Sequence, residues 1–322
     1  MTVGDNNILT AKGYILVDGT LNVEGSGYIV NIERISKSDG TPYTGFALNK
    51  NSENIYEISS AFDLARLSYS VNVIGNEFVG ETVRLLKDID MDNKIFTPIG
   101  NFSYAFRGEF DGNGKTVSNL KVVNIQLAGL FGFAYNAYIH DLTLQEVDIQ
   151  GKNYVGVVVA VAYNGIVLEN INASGTATGS SYYGPGLVGF IADGGEAVGA
   201  YFINCNTSTT IHGVYNIGGM FGTATGYESN IYIVNCTNSG DINASIVNAG
   251  QLFGFGNGTS GNIYYDTFTA EGTVVVNNNQ TDVLHGANAQ NIAEKEITVS
   301  GDFNWNSGNS FWNVSAQIAE KA

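Results

Sequence analysis

Gly129-Leu130-Phe131-Gly132, Gly156-Val157-Val158-Val159-Ala160, Gly186-Leu187-Val188-Gly189, Gly219-Met220-Phe221-Gly222 and Gly250-Gln251-Leu252-Phe253-Gly254 are versions of one phrase, an apolar step closed by a small residue. The closing residue stands at 132, 160, 189, 222 and 254, so the phrase returns every 28 to 33 residues. After each copy come a polar loop of varying length and an apolar strand: Tyr138-Ile139-His140-Asp141-Leu142, Ile166-Val167-Leu168-Glu169-Asn170, Phe202-Ile203-Asn204-Cys205 and Ile231-Tyr232-Ile233-Val234-Asn235-Cys236. A third short strand closes the unit. Such self-similarity marks a repeat architecture, and three short strands with Gly, Asn and Ser at the corners make one turn of a solenoid. Helix-pair repeats are excluded, because these residues alternate with period two and are rich in β-branched types.

The fold class expected is all-β, a right-handed parallel β-helix of three-strand coils. Successive coils then lie about 4.8 Å apart, and equivalent residues stack into ladders. Inward Leu, Val, Ile and Phe cover the next coil, since no coil of a solenoid buries its core alone. Small residues at the tight corners are expected to let the chain turn with φ above zero. Cys205 and Cys236 become vertical neighbours and are read as buried free thiols packing as small apolar groups.

Composition agrees. The chain has 322 residues, 14% of them charged, with 41 Gly, 18 Tyr, 17 Phe and only 3 Pro. It is too apolar for a disordered segment and too rich in Gly for a helical one. The net charge of −16 argues against nucleic acid and against an anionic membrane surface, both of which call for clustered Lys and Arg. Between Lys152 and Lys295 there is no Lys or Arg, while nine carboxylates fall in that stretch. Two cysteines are too few for a disulfide framework and lack zinc-site spacing. Neither an export signal nor an apolar run long enough to span a membrane is visible.

Upstream, Ser59 to Leu67 carries a Ser cap, an acid three residues on and apolar residues at helical spacing, which predicts a short capping helix near residues 60–68. The stretches Glu81–Asp90 and Phe106–Val117 read as strands joined by Asp-Gly and Asn-Gly turns. The domain reading is N-terminal β coils or a cap over 1–52, the β-helix over 53–290, and a C-terminal cap over 291–322. That last segment holds Trp305 and Trp312 and is read as an aromatic plug, because open strand edges need cover.

These features together resemble the bacterial cell-surface proteins built on the Gly-Leu-(any)-Gly, or GLUG, motif. The motif is matched by Gly129–Gly132, Gly186–Gly189 and Gly219–Gly222, behind a leader of Val71-Asn72-Val73-Ile74-Gly75-Asn76, Asp88-Ile89-Asp90, Pro98-Ile99-Gly100 and Phe106-Arg107-Gly108-Glu109-Phe110-Asp111-Gly112-Asn113-Gly114. The resemblance covers roughly residues 53–315. It departs where Ala160 replaces the closing Gly and where Gln251 shifts the last copy by one residue. It implies a parallel β-helix, an extracellular or bacterial cell-surface location and the label of adhesin, and it carries no catalytic residues or cofactor.

Candidate chemistry is thin. A lyase acting on uronic acids needs a cation, and the middle coils have none. Glycosidases need two carboxylates about 5 to 9.5 Å apart; Asp193, Glu196, Glu228, Asp241, Asp266 and Glu271 are the candidates and read as solvated loop acids. His212-Gly213 resembles a fragment of a pectin-hydrolase signature, but its partner motifs, paired Asp and a downstream Arg-Ile-Lys, are missing; His140 and His285 have no Cys or Ser arranged near them in sequence. Asp111-Gly112-Asn113-Gly114 lacks the spacing of a calcium loop and reads as a turn, so no metal is expected. Tyr182, Tyr183, Tyr227 and Tyr264 are the candidate ligand-binding residues, since loop aromatics stack on sugars or anchor proteins at low entropic cost. Alternation places one ring of each Tyr pair in the core. The reading is a non-enzymatic, monomeric surface adhesion or ligand-presenting module that binds a glycan or a host or microbial surface protein along the solenoid flank. Its rivals are a glycosidase-like β-helix enzyme and a structural spacer.

Overall fold

The computed structural model describes residues 1–181, 183–192, 199–225, 229–257, 261–281, 284–287, 292–300, 305–306, 311–312 and 315–321. It is a parallel β-solenoid carrying, among the described residues, one α-helix. Tyr56, Val83, Phe110, Ile139, Leu168, Phe202, Ile233, Tyr265 and Glu294 stand in one column, each hydrogen-bonded in parallel register to the next coil. The repeated phrase forms a second column, Ile99, Phe131, Val159, Val188, Phe221, Phe253 and His285. Ile99-Gly100 and His285-Gly286 thus extend the phrase by one coil at each end. Through the body of the stack these columns are apolar and buried, giving way at the last coils to half-buried Tyr265 and His285 and exposed Glu294, and Phe221 lies flat on Phe253 with centroids 5.0 Å apart.

The glycines work differently from the expectation. None of Gly129, Gly132, Gly186, Gly189, Gly219, Gly222, Gly250 or Gly254 has positive φ. They are required by close approach: a Cβ on Gly222 would lie 1.9 Å from the Gly184 carbonyl oxygen, and one on Gly132 would lie 2.5 Å from that of Gly100. At the phrase, neighbouring coils come too close to admit a side chain.

The turning falls to asparagine. Asp141, Asn170, Asn204, Asn235 and Thr267 occupy one corner column with φ of 52°, 53°, 52°, 52° and 53°. Asn tolerates this left-handed region better than most residues. Its amide also links the coils: Asn170 Nδ2 donates to Asp141 Oδ1 (2.8 Å), Asn204 Nδ2 to Asn170 Oδ1 (3.0 Å) and Asn235 Nδ2 to Asn204 Oδ1 (2.7 Å). Asn136, Asn164, Asn216 and Asn248 have φ between 48° and 63°, and Asn248 donates to Asn216 at 2.8 Å. At the Asp141 corner one residue bends the chain without a change of register, whereas at Asn136 the register against the next coil shifts by one, and Phe131–Gly151 still runs as a single 21-residue strand around several sides.

The helix α1 (Ala61–Asn72) starts at Ser60, whose hydroxyl accepts from Asp63 N at 3.1 Å, while Asp63 Oδ2 accepts from Ser59 N at 3.1 Å. It runs four residues beyond the expected end at 68, because Ser68, Tyr69, Ser70 and Val71 are buried against the body. Tyr69 accepts from Tyr43 N and donates to Ile35 O, both at 2.8 Å. On the other side Asn72 donates to Pro98 O at 2.8 Å. The helix therefore joins the main stack to residues 1–40. There Thr2, Ile8 and Ile15 pair with Asn22, Tyr28 and Ile35, two coils with a 20-residue period.

At the other terminus, Glu296–Ser300 and Ser315–Ala319 form an antiparallel hairpin. Ile297, Val299 and Ala316 pack over Tyr201, Tyr232 and Tyr264, and the backbone of Phe311–Trp312 reaches the coil of Phe131–Gly151. The described C-terminal backbone therefore lies along the flank, where the sequence suggests a plug over the end. Cys205 and Cys236 are free, buried and vertically adjacent, and each thiol donates to backbone carbonyls. Among the described residues no helix is long and apolar enough to cross a membrane.

The two glycine and asparagine roles separate experimentally. Asn204→Ala loses two ladder hydrogen bonds and strains a left-handed corner, an expected cost of about 2–4 kcal/mol in urea unfolding. Asn204→Gly, which keeps the corner at ease, should cost about 1–2 kcal/mol less.

Candidate functional site

Outward positions on the flank that follows the repeated phrase carry aromatic rings. Phe133, Tyr135, Tyr154, Tyr163, Tyr183 and Phe190 are half-buried, and Phe102 is 59% exposed. They touch in one network: Phe102 meets Phe133 (5.7 Å) and Tyr154 (6.0 Å), Tyr154 stacks on Tyr183 at 4.7 Å and 9°, and Phe190 meets Tyr183 edge-on and Tyr154 at a tilt. Tyr163 bridges Phe133 and Tyr135, and the Arg107 guanidinium sits 4.4 Å over Tyr135. Register explains the grouping, since Phe133, Val161 and Phe190 occupy successive rungs, as do Tyr135 and Tyr163, and Leu127, Tyr154 and Tyr183. Burial, and then the neighbouring Tyr183, push the Tyr154 hydroxyl pKa up, so the ring keeps its proton at physiological pH.

Of the sequence candidates, Tyr183 belongs to this network. Tyr264 belongs to a different ladder, stacked on Tyr232 (5.9 Å) and through it on Tyr201 (4.9 Å), beneath the C-terminal hairpin. Tyr182 and Tyr227 lie outside the described residues, as do Asp193, Glu196 and Glu228. The other acids considered are engaged locally. Asp241 accepts from Thr273 N and Oγ1, and Asp266 accepts from Ile297 N and pairs with Lys321. Glu271 is exposed on a strand end.

A polar cluster went unnoticed in the sequence. His140 Nε2 bonds Glu109 Oε1 (3.0 Å) and its Nδ1 bonds Asp141 Oδ2 (2.8 Å), with Asp111 Oδ1 4.0 Å from Nδ1. With a carboxylate on each nitrogen, the doubly protonated ring is the form that can donate to both. Burial opposes the charged ring, yet the carboxylates outweigh it and the His140 pKa is raised. Burial likewise works against ionisation of Glu109 and Asp141, and the bonds from His140 prevail and lower both. Arg84 Nε donates to Asp111 at 2.6 Å, Thr82 donates to Glu109, Asn170 to Asp141, and Tyr138, stacked on His140 at 4.2 Å, donates to Glu169 at 2.5 Å. Only aligning Glu109-Phe110-Asp111 with Tyr138-Ile139-His140 in register would have revealed it.

Asp111, His140 and Asp141 bring metal-capable atoms within 4.8 Å of one another. Those atoms are committed to each other and to Arg84, so the cluster serves as a brace across four coils. Within the cluster, Glu109, Asp111 and Asp141 are each engaged by His140, Arg84, Thr82 or Asn170.

No family model matches the chain. Halomucin of Haloquadratum walsbyi is 34% identical over 174 residues, 49% of this chain and 2% of halomucin. An immunoglobulin A1 protease of Streptococcus pneumoniae is 26% identical over 193 residues, 59% of this chain and 9% of the protease. That of Streptococcus sanguinis is 26% identical over 186 residues, covering 57% and 10%. The chain thus spans a tenth or less of these curated relatives. A solved structure from Bacteroides ovatus, provisionally named an immunoglobulin A1 protease, superposes with a TM-score of 0.57 at 15% identity, covering 78% of this chain and 86% of its own. At that identity the likeness concerns the fold, a shared β-solenoid.

The brace has a pH signature. A raised histidine pKa contributes stability that is complete below the ordinary histidine value of about 6.5 and is lost as pH rises through the folded value. The lowered carboxylates contribute above their unfolded range and lose it in acid. Melting temperature should therefore fall as pH climbs from 6 to 9 in the native chain. His140→Gln should be less stable by about 1–2 kcal/mol at pH 6 and lose most of that slope, as read by circular dichroism melts.

Proposed function

We propose that this chain is an extracellular, non-catalytic binding module of a longer protein, and that its solenoid holds the aromatic flank around Tyr154, Tyr183 and Phe190 against a glycan. The observation that carries this reading is the contiguous, half-exposed seven-ring network. Soluble proteins seldom leave such a patch without a partner, and a bare spacer has no use for it. Aromatic rings suit the apolar faces of sugars, and their two-angle side chains lose little entropy on binding.

The extracellular location draws support from the relatives. One is named a mucin of its organism, others are named for action on immunoglobulin A1, and such names fit proteins at work outside the cell. The Gly-Leu-x-Gly copies support membership among GLUG-type surface proteins with adhesive roles. Against an enzyme stand the locked carboxylates around His140 and a middle region without Lys or Arg.

A glycan and mucin array probed with the purified chain tests this, with reducing-sugar release followed in parallel. Binding is expected, weakened about tenfold by Tyr154→Ala with Tyr183→Ala, and without sugar release. Binding indifferent to the double substitution sinks the assigned surface, and release of sugar from any polymer sinks the non-catalytic reading.

A further inference from the structure

At one end of the aromatic flank, where α1 meets the coils, lies a groove of about 470 Å³ bordered by Phe102, Glu33, Asn72, Thr97, Asn124 and Gln126. We propose that this groove is the subsite for an uncharged pyranose, with Phe102 as the stacking platform; the inference rests on the glycan-binding reading above and specifies its substrate class.

The platform is rigid and open. Asn101 Oδ1 accepts from Ser103 N (2.8 Å) and Tyr104 N (3.0 Å), and Asn101 N donates to Tyr104 O (2.8 Å), so Phe102 stands at the tip of a closed turn. That turn is tied to the end of α1, since Gly100 N donates to Asn72 Oδ1 at 2.8 Å and Asn101 Nδ2 donates to Asn72 O at 3.3 Å. Phe133 and Tyr154 meet Phe102 in edge-type contacts at 66° and 71°. Neither stacks parallel on the ring, and 59% of the residue remains exposed. An ordered ring with an open face pays little entropy when a sugar settles on it.

The polar lining is directional. Asn124 Oδ1 already accepts from Gln126 N (2.9 Å) and Leu127 N (3.1 Å), and Gln126 Oε1 accepts from Asn153 Nδ2 (2.8 Å). Their oxygens being used, both side chains offer –NH2 donors among the described residues. Glu33 Oε2 accepts from Thr97 Oγ1 (2.9 Å), which holds the carboxylate in place and leaves its second oxygen as acceptor. Two amide donors and a carboxylate acceptor beside one ring match the hydroxyls and apolar face of a sugar. No Lys or Arg borders the groove, and Glu33 is its one charge. A sialylated or uronic sugar would bring a second negative charge beside Glu33 with nothing to neutralise it. The volume fits the lower half of ordinary small-ligand sites, room for one or two rings.

The test titrates the full chain with lactose, chitobiose and mannobiose against 3′-sialyllactose and digalacturonic acid, by protein-observed NMR. At least one neutral disaccharide should bind, and the charged sugars should bind at least about tenfold more weakly. Phe102→Ala should cost about tenfold in affinity with an unchanged melting temperature, because the side chain is largely in solvent. Glu33→Gln should weaken the neutral sugar and narrow the gap to the charged ones. Charged sugars binding as well as neutral ones, no binding by any disaccharide, or indifference to Phe102→Ala overturns the subsite. If array binding that depends on Tyr154 and Tyr183 survives any of these results, the glycan-binding reading stands and only the subsite fails.

Discussion

Every other feature depends on how closely one coil can approach the next. Backbone hydrogen bonds between coils require a fixed separation of about 4.8 Å, and at the repeated phrase even a methyl group would intrude on that distance. Gly222 and Gly132 meet carbonyl oxygens of adjoining coils where any side chain would sit. Because the phrase fixes the register there, the apolar columns fall on one another, the Asn corners align closely enough to bond, and outward rings meet rung by rung. A shift of one residue would turn each of these columns to the wrong face.

The corners answer a second constraint. A parallel strand must turn without losing its ladder, and single left-handed residues allow it. Asparagine serves because its side chain replaces with an interchain-like bond what the turn takes from the backbone. Acidic and hydroxyl residues fill the same corner at its ends, where Asp141 also holds His140 and Thr267 closes the column. The corner thereby connects two otherwise separate devices, the amide ladder and the ionic brace.

Much of this could be read from the sequence. The phrase gave the period, alternation gave inside and outside, and Ser60 with Asp63 marked the start of α1. What escaped depends on residues brought together across coils of unequal length. Glu109, Asp111, His140 and Glu169 look unrelated along the chain and join only when rungs are aligned. The same holds for Phe102, Phe133 and Phe190, isolated in sequence and neighbours in space. Tyr pairs stand out in a linear sequence, whereas the flank that presents Tyr183 is built largely from single aromatics spaced a coil apart. The role of the glycines was also misplaced, since a small residue required by a turn and one required by close packing look alike in a string of letters.

The C-terminal hairpin changes how the stack comes apart. Coils that touch only their neighbours can fray one at a time from an end. Here Ile297, Val299 and Ala316 lie across Tyr201, Tyr232 and Tyr264, and Lys321 reaches Asp266. Three successive coils are thus tied to one external strip, so the last cannot peel away without releasing the strip from the others. Unfolding at that end becomes a joint event, and the molecule resists a pull there as a bundle does, not as a zipper.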